Sequence, residues 1–109
     1  MNNIDVEACF AYIQSNAQKL GHYEGEIIRL EAKVKATKAA LMEASSFTSA
    51  TMKEASALKD QIYMEVVHEL SSATAKKVEL GIMIKAAFQK VETARAQMYL
   101  SRSELRNLQ

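Results

Sequence analysis

Proline and tryptophan are absent from this chain of 109 residues, glycine occurs three times and cysteine once. Without proline no position is barred from a helix interior, and with so little glycine there is no phosphate-cradling loop. The single cysteine, Cys9, has no intrachain disulfide partner and no second ligand cluster beside it. That excludes a disulfide scaffold and fits a reducing compartment. No apolar run approaches the roughly 18 residues of a membrane-spanning helix. The first residues carry Asp5 and Glu7 where a secretion signal has a basic region and an apolar core, so a cytoplasmic protein without a membrane partner is expected. The net charge is only +1, well short of a dedicated nucleic-acid binder. A single domain of this length, residues 1–109, has too little volume for an enzyme-sized cleft in a monomer, which favours an interaction protein over an enzyme.

What remains is helix-forming: 49% of residues are hydrophobic, many of them alanine, and 25% are charged. Val6, Ile13, Leu20, Ile27, Val34 and Leu41 recur at an unbroken seven-residue spacing. A heptad held that long needs one continuous helix whose apolar stripe faces a partner. With those residues as the a row, the d row is Cys9, Asn16, Tyr23, Leu30, Thr37 and Ala44. It is too polar for a two-stranded zipper alone, so the seam is expected to pack against the rest of the chain and against other copies.

The first helix is expected over residues 4–44, with Asn3 as N-cap and Asp5 and Glu7 complementing the helix dipole. Gly21 and Gly25 fall at b and f positions, away from the seam, as tolerated weak points or as a place where a second helix comes close. Ser45-Ser46-Phe47-Thr48-Ser49 favours a turn, giving a linker over 45–50. Thr51-Met52-Lys53-Glu54 matches a capping box and starts a helix over 51–71, whose apolar positions are Ala55, Leu58, Ile62, Val66 and Leu70, widened by Tyr63 and Val67. Ser71-Ser72-Ala73-Thr74-Ala75 is a second break, though without glycine or proline it can stay helical. The last helix, over 75–108, carries two rows at seven-residue spacing: Ile84, Val91, Met98, Leu105, and Leu80, Ala87, Ala94, Ser101, Leu108. Met83 and Met98 read as gap-filling core. The expected fold is all-α, a long N-terminal helix with two antiparallel helices in a hairpin or three-helix bundle. Two long seams in so short a chain also imply a homo-oligomer.

No catalytic constellation is visible, and neither a metal nor any other cofactor is implied. His22 and His68 have no second ligand at helical spacing; His68 beside Glu65 and Glu69 reads as the edge of a packed face. Charge is graded along the chain: residues 1–30 carry four acids and two bases, 31–75 six and five, and 76–109 three and seven. The local feature with a functional reading is the group Arg29, Lys33, Lys35 and Lys38. Lys35 and Lys38 fall on neighbouring turns of one side of the helix and Lys33 on another flank. As a solvated flank it needs no ligand; repeated around a ring of subunits it becomes a positive belt for a phosphate backbone.

The segment from Arg29 to Leu41 resembles the UvsY-type recombination mediators of tailed bacteriophages, which have an Arg-Ile-Glu-Ala segment followed by lysines and Leu-Lys-Ala-Arg-Leu. The matching residues are Arg29, Glu31, Ala32, Lys33, Lys38, Ala39 and Leu41, with Leu30 in place of isoleucine. The resemblance extends loosely over the helical outline. It implies a ring-shaped homo-oligomer that binds single-stranded DNA and loads a RecA-like strand-exchange protein onto DNA covered by single-strand binding protein, in the host cytoplasm. Of the family's DNA-binding lysine and arginine only Lys38 carries over, because Ala40 stands at the arginine position; Arg29, Lys33 and Lys35 would have to compensate. The chain lacks the family's abundant aromatics, so the expected contact is backbone tracking rather than base stacking. The alternative reading is a helical module, a small inhibitor or adaptor, that binds a partner protein through an exposed heptad seam, with Asn16 and Thr37 setting its register.

Overall fold

A computed structural model describes residues 4–108; Asn3, the expected N-cap, lies outside them. The chain forms α1 (Val6–Ala44), α2 (Ala50–Lys59) and α3 (Gln61–Asn107), and the described residues contain no strand. The fold is all-α, as the composition implies. Asp5 caps α1, its carboxylate accepting from the Ala8 amide at 3.0 Å. At the other end the Ser45 amide donates to the Met42 carbonyl at 3.2 Å, and the Ser45 hydroxyl accepts from the Phe47 amide at 3.2 Å. The small polar stretch thus turns the chain by competing for backbone groups.

The heptad of α1 is the face it buries. Val6, Ile13, Leu20, Ile27, Val34 and Leu41 are all half-buried, as are Cys9, Asn16, Tyr23 and Thr37, while Leu30 is buried. Asn16 is tolerated in the seam because its side-chain amide donates to the Tyr12 carbonyl at 2.8 Å, which removes the cost of an unpaired polar group.

The second and third helices are divided differently from the expectation of 51–71 and 75–108. The chain stays helical through Ser71–Ala75 and breaks instead at one residue, Asp60. Asp60 is extended (φ −68°, ψ 136°), and its amide still donates to the Ala57 carbonyl at 3.1 Å. Its carboxylate accepts from the Ile62 amide at 2.8 Å and its carbonyl accepts from Met64 at 3.0 Å. One aspartate therefore ends α2 and caps α3. In the 71–75 stretch the Thr74 hydroxyl donates to the Leu70 carbonyl at 2.8 Å, so the side chain bonds the helix it was expected to break. The capping box at Thr51 and Glu54 does not form. Ser49 is the N-cap, with no side-chain bond of its own, and Glu54 reaches α1 instead.

That break shifts the inward face of α2. Ala57 is buried, whereas Ala55 is exposed and Leu58 is 43% exposed; Ile62, in the first turn of α3 beyond the break, is 58% exposed. An apolar pattern phased through Asp60 as one helix does not describe α2, because an extended residue there resets the rotation between α2 and α3. Val66 is buried, and Tyr63, Val67 and Leu70 are half-buried, as the α3 phase requires.

The contacts divide into two compact units, Gly21–Lys77 and Met1–Leu20 with Val78–Gln109. In the first, the C-terminal part of α1, all of α2 and the start of α3 enclose Leu30, Ala57, Val66 and Ala73. Glu24 lies 3.9 Å from Lys77, and Arg29, further along α1, is near Glu69, earlier in α3, so the two helices run antiparallel there. In the second unit the start of α1 packs on α3, burying Ala87, Val91 and Ala94, while Leu80 and Ile84 are half-buried. The small residues of that row bring two helices together without a third. Met83 and Met98 are 48% and 54% exposed, so neither fills core.

Candidate nucleic-acid interface

The four cations singled out in the sequence do not form one patch. At about 100° per residue, Arg29 and Lys33 project on one flank of the α1 seam and Lys35 and Lys38 on the other. Leu30 between them is buried, so the two pairs are separated by the packed face.

Two of the four are engaged. Arg29 is ion-paired with Glu26 one turn earlier, an exposed contact. This bond lowers the Glu26 pKa below the ordinary carboxylate value and raises that of Arg29. Lys38 donates to Glu54 of α2 at 2.8 Å. Its pKa is raised, first by that hydrogen bond. A phosphate at Lys38 would have to displace a carboxylate already seated there, so this lysine is a tie between α1 and α2 before it is a ligand-binding group. Lys33 and Lys35 are exposed and have no ion-pair partner among the described residues.

A second basic group, outside the Arg29–Lys38 cluster, lies on α3. Arg95, Arg102 and Arg106 are exposed and free of ion pairs among the described residues. At helical spacing they fall within roughly 40° of one another, with Tyr99 on the same flank and Glu92 as the nearby carboxylate. The signal for them was the charge gradient, three acids against seven bases after residue 75. A gradient of that kind is visible as a sum and names no face. Together these arginines concentrate positive charge on that flank, and Arg106, in the last turn of α3, also complements the helix dipole.

The packing residues are likewise divided. Val6, Ile13, Leu20, Ile27, Leu30, Val34, Leu41, Leu80, Ile84 and Val91 are covered within the chain, whereas Met98 and Leu105 are 54% and 62% exposed. His22 and His68 border a shallow groove with Tyr23, Glu26, Glu69 and Lys76. No group of three metal-ligating side chains gathers there or elsewhere among the described residues. No helix among them is long and apolar enough to cross a membrane. Comparison of the chain with known protein families, with curated proteins and with solved structures finds no match.

Proposed function

We propose that this chain is a non-enzymatic, oligomeric single-stranded DNA-binding protein of the recombination-mediator kind, helping to load a RecA-like strand-exchange protein onto DNA held by single-strand binding protein. The observation that carries the nucleic-acid half is the grouping of Arg95, Arg102 and Arg106 on one flank of α3, exposed and, like Lys33 and Lys35 on α1, without a carboxylate partner among the described residues. The mediator half rests on the resemblance of Arg29 to Leu41. Since Arg29 and Lys38 are already paired, the phosphate contacts fall first to the unpaired groups. These track a backbone by charge and leave the bases largely unread.

The test is a fluorescence anisotropy titration of a labelled oligothymidylate across a range of salt. Each phosphate contact on a single strand contributes about 0.7 to the slope of log affinity against log salt. Changing Arg95, Arg102 and Arg106 together to alanine is expected to weaken binding at least tenfold and to flatten that slope by about 2. The Lys33→Ala/Lys35→Ala pair should flatten it by about 1.4. All five side chains are exposed, so helicity is expected to persist. Failure of the unaltered chain to bind at low salt would end the mediator reading.

One observation favours a second reading, a helical module that binds a partner protein. The α3 seam continues beyond its intrachain cover, with Met98, Leu105 and Leu108 exposed in heptad register. An oligomer indifferent to DNA would support it.

A further inference from the structure

The rows Ile84–Val91–Met98–Leu105 and Leu80–Ala87–Ala94–Ser101–Leu108 keep one phase along α3. Their environment changes abruptly. Up to Ala94 both rows are buried or half-buried against α1; from Arg95 to Leu108 every residue is exposed. Met98, Leu105 and Leu108 are exposed by 54, 62 and 84%. Nothing in the sequence ends the seam at Ala94. It ends because α1, which covers it, begins at Val6.

We propose that the α3 segment 95–108 pairs with the same segment of a second copy, antiparallel, about a two-fold axis near Ser103. Three features of the surface select this occupant. First, the free face is continuous with the α1–α3 seam, so the occupant is a helix presenting a heptad in the position α1 holds further along. Second, direction follows from space. A parallel copy would run into α1 at Ala94, whereas an antiparallel copy enters from the open end. Antiparallel pairing also sets the a row against the d row, placing Met98 against Leu108 of the second copy and Ser101 against its Leu105. Leu105 then meets the smaller Ser101 and Met98 meets Leu108, where a parallel register would bury serine against serine. Third, the ends that approach are opposite in charge. The C-terminal turns of α3 carry Arg102, Glu104 and Arg106, a net positive charge, and point toward the second copy's α1 N-terminus, with Asp5 and Glu7. Their helix dipoles also align head to tail. Arg102 lies beside its symmetry mate on an exposed flank, where water screens the pair. The contact is isologous and closes on itself, so by itself it gives a dimer, and with another interface an even-numbered assembly. It does not depend on DNA binding.

Two measurements on the full chain test it. Sedimentation equilibrium without DNA is expected to show a dimer that Leu105→Glu weakens at least tenfold, with far-UV helicity unchanged because Leu105 is exposed in one copy. A chain that stays monomeric at high micromolar concentration, or an oligomer that Leu105→Glu leaves intact, overturns the proposal. Orientation is read by disulfide trapping in a Cys9→Ser background with oxidised glutathione. Met98→Cys mixed with Leu108→Cys is expected to give the mixed disulfide, with little of either symmetric one. Efficient symmetric trapping of Met98→Cys alone would mean parallel pairing and overturn the antiparallel arrangement.

Discussion

Shortening Leu30 to alanine is expected to destabilise the fold by about 3 kcal/mol, within the range of large-to-small changes in packed cores. Among the described residues Leu30, 2% exposed, is the one large side chain that is fully enclosed. The rest of the buried set is Ala57, Val66, Ala73, Ala87, Val91 and Ala94. A core built so largely of alanine and valine has few side chains able to move into the space a leucine leaves, so the cavity contribution persists. In a protein whose whole stability is on the order of 5–15 kcal/mol, that loss is large. Thermal unfolding followed by circular dichroism at 222 nm should show a midpoint lower by roughly 10–20 °C. A shift of only a few degrees would mean that Leu30 is not enclosed in solution.

The opposite sign is expected at Gly21 and Gly25. Both lie inside α1, and a Cβ built at either meets nothing within 4 Å. Alanine at each removes backbone freedom from the unfolded chain and adds no clash, stabilising by about 1 kcal/mol per site. The double change is expected to contribute about 2 kcal/mol, read as a higher urea midpoint at unchanged slope. The open surroundings correspond to the reading of these glycines as tolerated weak points, with no described residue against either Cβ position. A neutral or destabilised double variant would place another molecule against that face.

The long helix and its buried stripe were legible because the signal repeats six times over α1 and each repeat adds to the same geometric conclusion. The turn at Ser45–Ser49 was legible because several competing side chains cluster there. Asp60 was not. A lone aspartate inside an apolar-periodic stretch resembles any solvated helix residue until its carboxylate is seen on the Ile62 amide. A pattern carried through that break puts Ala55 and Leu58 on the inner face of α2, where the structure has Ala57. The serine-rich stretch at 71–75 misled for a related reason. Hydroxyl side chains have the chemistry to leave a helix, but Thr74 uses it on the carbonyl four residues back.

The candidate site was legible as composition rather than as arrangement. Lysine density between Arg29 and Lys38 is plain in the sequence, but the carboxylate that occupies Lys38 comes from Glu54, sixteen residues on. No local window includes that pair. The α3 arginines show the reverse: their spacing of seven and four residues puts them on one flank. Whether any cation there stays unpaired is decided only when the helices are assembled.

One unit draws on two stretches that are far apart in the chain, Met1–Leu20 and Val78–Gln109. The other is a single stretch, Gly21–Lys77. Order of assembly follows from this difference. Joining the two ends closes a loop through everything between them, an entropic cost not repaid until the long-range contacts form, whereas the continuous unit gathers nearer neighbours first. Leu30 then belongs to the early step and Val91 to the late one. In stopped-flow unfolding and refolding, Leu30→Ala is expected to act mainly by slowing folding and Val91→Ala mainly by hastening unfolding; the reverse pattern would put the terminal pairing first. Until that pairing closes, a newly made chain carries the apolar stripe from Val6 to Leu20 without its intended cover, and this is the interval in which pairing with the wrong chain competes with folding.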